Sequence, residues 1–362
     1  MSSEEGRTSF LKKRSKKLLI MGAAPVGPAR LQHPKVFWFF FLKKELLPSF
    51  PLRPVVKRPF LCLLLLFAGA ADTDQPLWRA EHGVLLSVAK AGERLVAVGD
   101  RGIVLLSDDQ GQHWREVRSG TDELLTGVIF PTPTEGWAVG QDATILHSAD
   151  AGATWQSQHA KPGGDTALFS IAAISAKHLI ATGAYALALE TQDGAQWISV
   201  SLPSMDEDYH LNCVMARGED VIITGEAGHA FLRHAGAWTA IPVGYDGSQF
   251  GCLAEPDGRV YSFGLRGSLF SLAPDATKWQ RIDTGVAQSF FGGALLANGR
   301  IALVGGNGLA AMFDPASGVL TRLHSGTGAS LSSVTEAADK RLIVVGDDGV
   351  HTIDPTDTEV TQ

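Results

Sequence analysis

An apolar run that closes on glycine recurs seven times along the chain, as LVAVG, GWAVG, LIATG, VIITG, VYSFG, IALVG and LIVVG. The closing residues are Gly99, Gly140, Gly183, Gly225, Gly264, Gly305 and Gly346, at successive spacings of 41, 43, 42, 39, 41 and 41 residues. Within one period the apolar positions fall into four short runs, clearest in LLSVAKA, RLVAVGD, GIVLLSDD and HWREV between residues 85 and 117. No stretch shows the 3.6-residue period of a helix, so each unit reads as four strands. Four-stranded units of about 40 to 45 residues are propeller blades. The pattern predicts an all-β, seven-bladed propeller over residues 72–362.

Turn chemistry supports this reading. The closing glycine opens a G-x-x-G pattern in five units: Gly99/Gly102, Gly225/Gly228, Gly264/Gly267, Gly305/Gly308 and Gly346/Gly349. Glycine is expected there because tight hairpins need φ > 0. A second position, 12 or 13 residues before the closing glycine, is always small: Ser87, Gly127, Ser170, Cys213, Cys252, Gly293 and Ser333. Small side chains there would let seven innermost strands crowd toward one axis. On this alignment Cys213 and Cys252 occupy equivalent places in neighbouring blades and serve as small packing residues. A disulfide is the alternative, if their Cα atoms come within about 7 Å in an oxidising compartment. PLWRAE (76–81) resembles the outer-strand segment HWREV, and it is expected to complete the last blade, whose own tail TEVTQ is short.

Charge divides the chain. Residues 1–71 hold 13 Lys and Arg against 3 Asp and Glu, which leaves 18 basic and 35 acidic residues beyond them and a net charge of −17. Such an acidic globule repels phosphate backbones, so no nucleic-acid partner is expected. At the junction, Lys57 and Arg58 precede the apolar run PFLCLLLLFAGA, which ends in small residues. Residues 56–71 therefore read as a signal peptide cleaved after Ala70 or Ala71, too short to span a bilayer. Cys62 lies at the start of that run, which excludes a lipoprotein site. Residues 1–55 read as an extension outside the ordinary signal, spurious or disordered, with an amphipathic anchor around VFWFFFLKK as the alternative.

The most specific local motif is S-x-D-x-G-x-x-W. It is intact as Ser107, Asp109, Gly111 and Trp114, and as Ser148, Asp150, Gly152 and Trp155. A shortened copy holds Thr191, Asp193, Gly194 and Trp197, and Trp238 and Trp279 are remnants. The motif matches the Asp-box of neuraminidase-type (BNR) repeats, and its chemistry is structural. Asp accepts backbone N–H bonds, Gly takes the left-handed position, and Trp packs between sheets. The same motif raises a sialidase-like, carbohydrate-active alternative. That chemistry asks for six blades, three carboxylate-clamping arginines in an F/Y-R-I-P context and a Tyr/Glu pair, and this pattern is missing. No G-x-S-x-G, P-loop or H-E-x-x-H occurs, and His229 and His234 are not at a metal-binding spacing. No catalytic residue, metal or cofactor is expected.

In a propeller, the loops between blades share one face with the tight second turns. Here that face gathers Asp122, Glu123, Asp165, Asp206, Asp208, Tyr209, His210, Tyr245, Asp246 and Gln249, with turn residues such as Arg101, Tyr185 and Arg266. It is acidic with aromatic contact area, which fits a protein partner offering a basic patch.

The segment ELLTGVIFPTPTEGWAVGQDATILHSADAGATW (123–155) resembles the photosystem II stability and assembly factor family of propellers. The resemblance extends over about residues 76–350. It implies a non-enzymatic, lumenal or periplasmic protein that assists assembly of a membrane complex or transporter. Photosynthetic members present an arginine cluster, whereas this chain has only Arg217, Arg233 and Arg259 between residues 140 and 260. The expectation is therefore a secreted, monomeric scaffold for a protein partner.

Overall fold

The computed structural model describes residues 81–159, 164–203, 209–274 and 276–359. The signal-peptide and extension readings lie outside them. Seven antiparallel sheets follow one another along the chain, six of four strands and a seventh with three described strands. The innermost strands are Leu85–Ala91, Leu125–Ile129, Leu168–Ala173, Cys213–Arg217, Gln249–Ala254, Phe290–Leu295 and Leu331–Glu336. Each packs on the next and the first packs on the last, so the ring is closed. This is the seven-bladed propeller that the repeat predicts. Second strands are buried along nearly their whole length, as in Leu342–Gly346, because sheets cover both of their faces. The fourth strands, such as Arg115–Arg118, are largely exposed.

The closing glycines have a different job from the one expected. Each lies in extended backbone, as at Gly99 with φ −173° and Gly225 with φ −160°. What forbids a side chain is space. A Cβ on Gly99, Gly140, Gly183, Gly225, Gly264, Gly305 or Gly346 would overlap a backbone carbonyl: that of Val84, Leu124, Ala167, His210, Ser248, Ser289 or Ser330 respectively. The same seven carbonyls accept the N–H of the residue after the glycine, at 2.9 to 3.0 Å. Positive φ belongs instead to the second glycine of each pair, from 66° at Gly267 to 101° at Gly349.

Register corrects the small-residue series. Ser87, Gly127, Ser170, Cys213 and Ser333 each pair with the residue just before the closing glycine, and in blades five and six that place belongs to Gly251 and Gly292. Cys252 and Gly293 sit one residue further on. The hairpins after the innermost strands differ in length, so the position lies 12 residues before the glycine in blades one and four and 13 in the others, and in blades five and six the residues at both distances are small. The offset matters, since this position reaches the following residue of the next blade. Ser87 Oγ accepts the Val128 N–H, Ser170 Oγ that of Val214, and Ser333 Oγ that of Val88 across the ring closure. Cys213 reaches Cys252 in the same way. They are disulfide-bonded, with Cα atoms 5.9 Å apart, so the packing-only reading of the cysteines is replaced by its alternative.

The chain end also differs from expectation. Thr358 bridges to Leu323, the His324 N–H donates to Asp357 O and the Glu359 N–H to Arg322 O. The described part of the tail, through Glu359, thus lies along the outer strand of blade six, Val319–Arg322. Residues 76–80 of the expected closing strand lie outside the described residues; Glu81 is described, and its carbonyl lies against Gly349.

Replacing Gly225 with Ala is expected to cost about 1–3 kcal/mol, since the His210 carbonyl must move. Gly328 has nothing within 4 Å of its would-be Cβ, and Gly328→Ala should be neutral or stabilising by up to about 1 kcal/mol. Urea unfolding of the two variants beside wild type checks the contrast; equal stabilities would remove the carbonyl contact as the reason for the glycine.

Candidate protein-binding face

Backbone hydrogen bonds bring the inter-blade loops and the second turns to one end of the propeller. The Ala143 N–H donates to Thr166 O and the Ala186 N–H to Tyr209 O. In other blades a turn glycine replaces the alanine, and the loop carbonyl fills the space a Cβ would need: Thr121 O at Gly102, Tyr245 O at Gly228, Val286 O at Gly267. The turn apex has left-handed backbone in six blades, at Arg101, Asp142, Tyr185, Ala227, Arg266 and Asn307. Non-glycine residues are uncommon there, and their side chains are held outward on a rigid turn.

The sequence-derived site residues distribute unevenly over this face. Asp122, Asp165 and Asp246 are exposed, and Glu123 is half-buried, with its N–H on Thr121 Oγ1. Asp206 and Asp208 lie outside the described residues. Tyr209 and His210 are half-buried between blades three and four, where the Tyr209 ring lies 4.4 Å from that of His229. The His210 ring accepts the Tyr185 N–H at 3.2 Å and meets the Tyr185 ring edge-on at 5.2 Å. Because Nδ1 accepts, the proton of a neutral His210 sits on Nε2. Tyr185 itself is 58% exposed, the largest apolar surface offered by a turn apex. Tyr245 is committed to packing: its ring lies beside Phe270, its hydroxyl donates to Leu265 O, and Arg281 stacks over it.

Gln249 departs from expectation. It is fully buried, its amide nitrogen donating to Ser268 Oγ and Gly247 O and its oxygen accepting from Ser262. Its place in register is that of Leu85 and Phe290, the first residue of the inner strand, which always points into the sheet stack. It is a core residue, unable to touch a partner.

The axis lined by the small-residue series was expected, but the large apolar side chains beside that series and one further feature of the face were not. The central channel, about 210 Å³, has a lining that includes the small-residue series together with Leu86, Phe169, Phe250 and Phe291. Phe250 and Phe291 meet edge-on at 5.6 Å, and Phe169 lies 5.8 Å from His210. The signal was present in principle, since these residues immediately precede the small position once the register is known. The further feature is a crevice of about 350 Å³ on blade one, bounded by Arg101, Arg118, Glu116 and Asp122; nothing in a linear pattern unites these.

The serine–aspartate turns stand at the opposite end and fold as the motif predicts. Ser107 Oγ donates to Asp109 and accepts the Gly111 N–H, while Asp109 accepts the N–H groups of Gln112 and His113. Ser148, Asp150, Gly152 and Thr154 repeat the arrangement. In the shortened copy Asp193 accepts from Thr191, Ala195 and Gln196. Trp114, Trp155 and Trp197 are buried, each in a cluster shared with the preceding blade. The backbone and ring hydrogen bonds of His113 bring the Asp109 carboxyl down to about 2. Burial would raise Asp150, and the Thr154 hydroxyl and N–H outweigh it, so its pKa falls. Asp193 is lowered by the N–H groups of Gln196 and Ala195.

The arginines of the middle blades do not form a patch. Arg217 pairs with Asp220 at 3.2 Å, Arg233 is buried against Glu190 at 2.7 Å and stacks on Trp238, and Arg259 faces Glu255 at 3.8 Å. His229 bonds Glu226 O and His234 bonds Asp220, so the two histidines serve separate partners.

Residues 106–290, just over half of the sequence, match the family model described as photosynthesis system II assembly factor YCF48. The chain belongs to this family. Among solved structures, YCF48 bound to a D1 peptide is similar with a TM-score of 0.63 at 16% identity, covering 76% of this chain and 95% of that one. YCF48 from Cyanidioschyzon merolae gives 0.63 and 16%, covering 75% and 96%. The extracellular domain of a putative one-component system, BT4673 from B. thetaiotaomicron, gives 0.58 and 13%, covering 75% of this chain and 38% of that one. At these identities the structural likeness speaks for the fold. No curated protein sequence matches.

Trp155→Ala should cost about 3–5 kcal/mol as a buried aromatic truncation; an unchanged melting temperature would refute its core role. The lowered carboxyls give a pH signature. Their contribution is complete above the ordinary aspartate value of 3.8 and is lost as pH falls through the folded values, near 2 for Asp109,. The triple variant Asp109→Asn, Asp150→Asn, Asp193→Asn should therefore show a flatter fall of Tm between about pH 5 and pH 2 than wild type, read by circular dichroism melts.

Proposed function

We propose that this chain is a non-catalytic, exported scaffold that binds a protein segment on the loop-and-turn face and assists assembly or stability of a membrane protein complex. The observation that carries this is the face itself. Inter-blade loops are tied by backbone hydrogen bonds to rigid turns, and these display exposed Tyr185 beside His210 together with the acidic groups Asp122, Asp165 and Asp246. Membership of an assembly-factor family supports the scaffold reading, and a peptide-bound structure exists for a propeller of the same fold.

The chemistry of this face sets the partner. Exposed carboxylates around an aromatic anchor suit a segment with Lys or Arg flanking an apolar side chain. With its middle-blade arginines ion-paired, the chain selects a basic segment over an acidic one. The Cys213–Cys252 disulfide supports an oxidising compartment, in line with the signal-peptide reading and a periplasmic or lumenal location,. Among the described residues no helix is long and apolar enough to cross a membrane, and the scaffold acts on the complex from outside as a monomer.

Mild crosslinking in the cell envelope identifies the segment, and titration of that segment across a salt series tests the face. Affinity should fall as salt rises, because exposed charges are screened beyond about 8–10 Å. Asp122→Asn, Asp165→Asn, Asp246→Asn together should weaken binding about tenfold at low salt, three rim charges at a few tenths of a kcal/mol each. Undiminished, salt-insensitive binding by the triple variant would remove this face as the docking site.

A further inference from the structure

The end of the propeller opposite the proposed binding face carries a cavity of about 490 Å³ between blades four and five. Its walls are apolar, with Met215, Ile222, Leu232, Ile241, Val260 and Leu272 among the lining residues. Its polar lining includes Arg217, Asp220 and His234, which are paired with one another: Asp220 lies 3.2 Å from Arg217 and 2.8 Å from His234.

The reason for this opening can be read from the other blades. At the junction of blades one and two, the glycine of the serine–aspartate turn, Gly152, packs against Val96 and Leu106 of the preceding blade. Counted from the closing glycines and confirmed by strand pairing, Val96 and Leu106 correspond to Ile222 and Leu232 in blade four. In blade five the turn that should cover them has decayed. Counting back from Trp279, Leu272, Pro274 and Ala276 stand where Ser, Asp and Gly stand in the intact copies. Pro274 cannot accept the backbone N–H bonds that Asp150 accepts. The indole partner varies from turn to turn: Trp155 Nε1 donates to Gly152 O of its own turn at 2.9 Å, Trp197 Nε1 to Gln158 Oε1 at 3.0 Å and Trp279 Nε1 to Ile241 O at 2.8 Å. Ile222 and Leu232 line the cavity.

We infer that this inter-blade cavity is a binding site for an uncharged aromatic small molecule carrying one hydrogen-bonding group, such as an indole or a phenol. The volume lies within the range of about 300–1,000 Å³ typical of small-molecule sites. The wall at Ile222 and Leu232 corresponds to the one that the turn glycine Gly152 packs against, at Val96 and Leu106, elsewhere in the same chain. Among the described lining residues the carboxylate of Asp220 is already engaged by Arg217 and His234, so these residues offer hydrogen bonds and leave no unpaired carboxylate to call for a cation. The site is independent of the partner face.

Indole is the probe for the test. Titration of the intact protein, followed by NMR, should give saturable binding with a dissociation constant of order 1 mM, as befits so small a ligand, with contacts to the Ile222 and Leu232 methyls. Two variants close the space from opposite walls: Leu232→Trp, and restoration of the turn by Leu272→Ser, Pro274→Asp and Ala276→Gly. At least one folds if the reading is right, and a variant whose far-UV spectrum is native should bind indole about tenfold more weakly or not at all. The proposal is overturned by an absence of saturable binding to wild type, by unchanged affinity in the folded variants, or by contacts mapping elsewhere. It is overturned equally if only a tryptophan-containing peptide binds and free indole does not, which would make the cavity a docking pocket for a partner's side chain.

Discussion

One backbone contact repeats at every blade and the rest of the propeller is arranged around it. The residue after each closing glycine donates its N–H to the carbonyl of the chain entering that blade, and the glycine lies so near this carbonyl that no side chain fits. The bond fixes the entry of each innermost strand relative to its second strand. It therefore also fixes which residues of the innermost strand face the axis. Seven copies of a local hydrogen bond, each worth about 1 kcal/mol net, specify the radial geometry of the whole ring.

Contacts between blades are built on that frame. The small position of one innermost strand touches the following residue of the next, through a serine hydroxyl at three junctions and a disulfide at a fourth. Thr126 adds a bond to Leu168 O at the second junction. Where the position is glycine the backbones themselves approach, as Gly292 does to Ser332. Serine, cysteine and glycine are thus variants of one solution to crowding at the axis. The serine–aspartate turns solve the corresponding problem at the periphery, and the decay of that turn in blade five opens a cavity without loosening the ring, because the axial contacts of blades four and five are closed by the disulfide.

The architecture was legible because propeller repeats write their period in glycine, and a seven-fold steric requirement leaves the same mark seven times. The reason for the mark was not, since a close approach and a positive φ both select glycine and a sequence does not distinguish them. The same limit explains the cysteines. Pairing depends on an offset of one residue between Cys213 and Cys252, and hairpins of unequal length hide that offset from counting. Gln249 was misplaced because a polar side chain at an inner-strand start reads as loop, while here Ser262 and Ser268 satisfy it inside the sheet stack. Asp122, Asp165 and Asp246 lie exposed on inter-blade loops as expected, because loop residues converge by topology, with no demand on their individual conformations.

The two ends of the propeller differ in how much freedom the chain retains to vary them. On the loop-and-turn end, the turn apex sits in left-handed backbone in six blades, and beside Asp142 and Tyr185 the turn is bonded to the neighbouring loop, so the apex side chain can change from Arg101 to Asp142 to Tyr185 while the backbone stays the same. Recognition can be rewritten there at little cost in stability, because an exposed apex contributes few buried contacts. On the opposite end, the serine and aspartate side chains and the glycine N–H bond one another beside a buried tryptophan, so these positions are tied together. A family that keeps its fold while changing partners is expected to diversify at the first end and to be constrained at the second. A motif lost at the second end, as in blade five, then marks either relaxed packing or a site with its own use, and the polar trio at that cavity favours use.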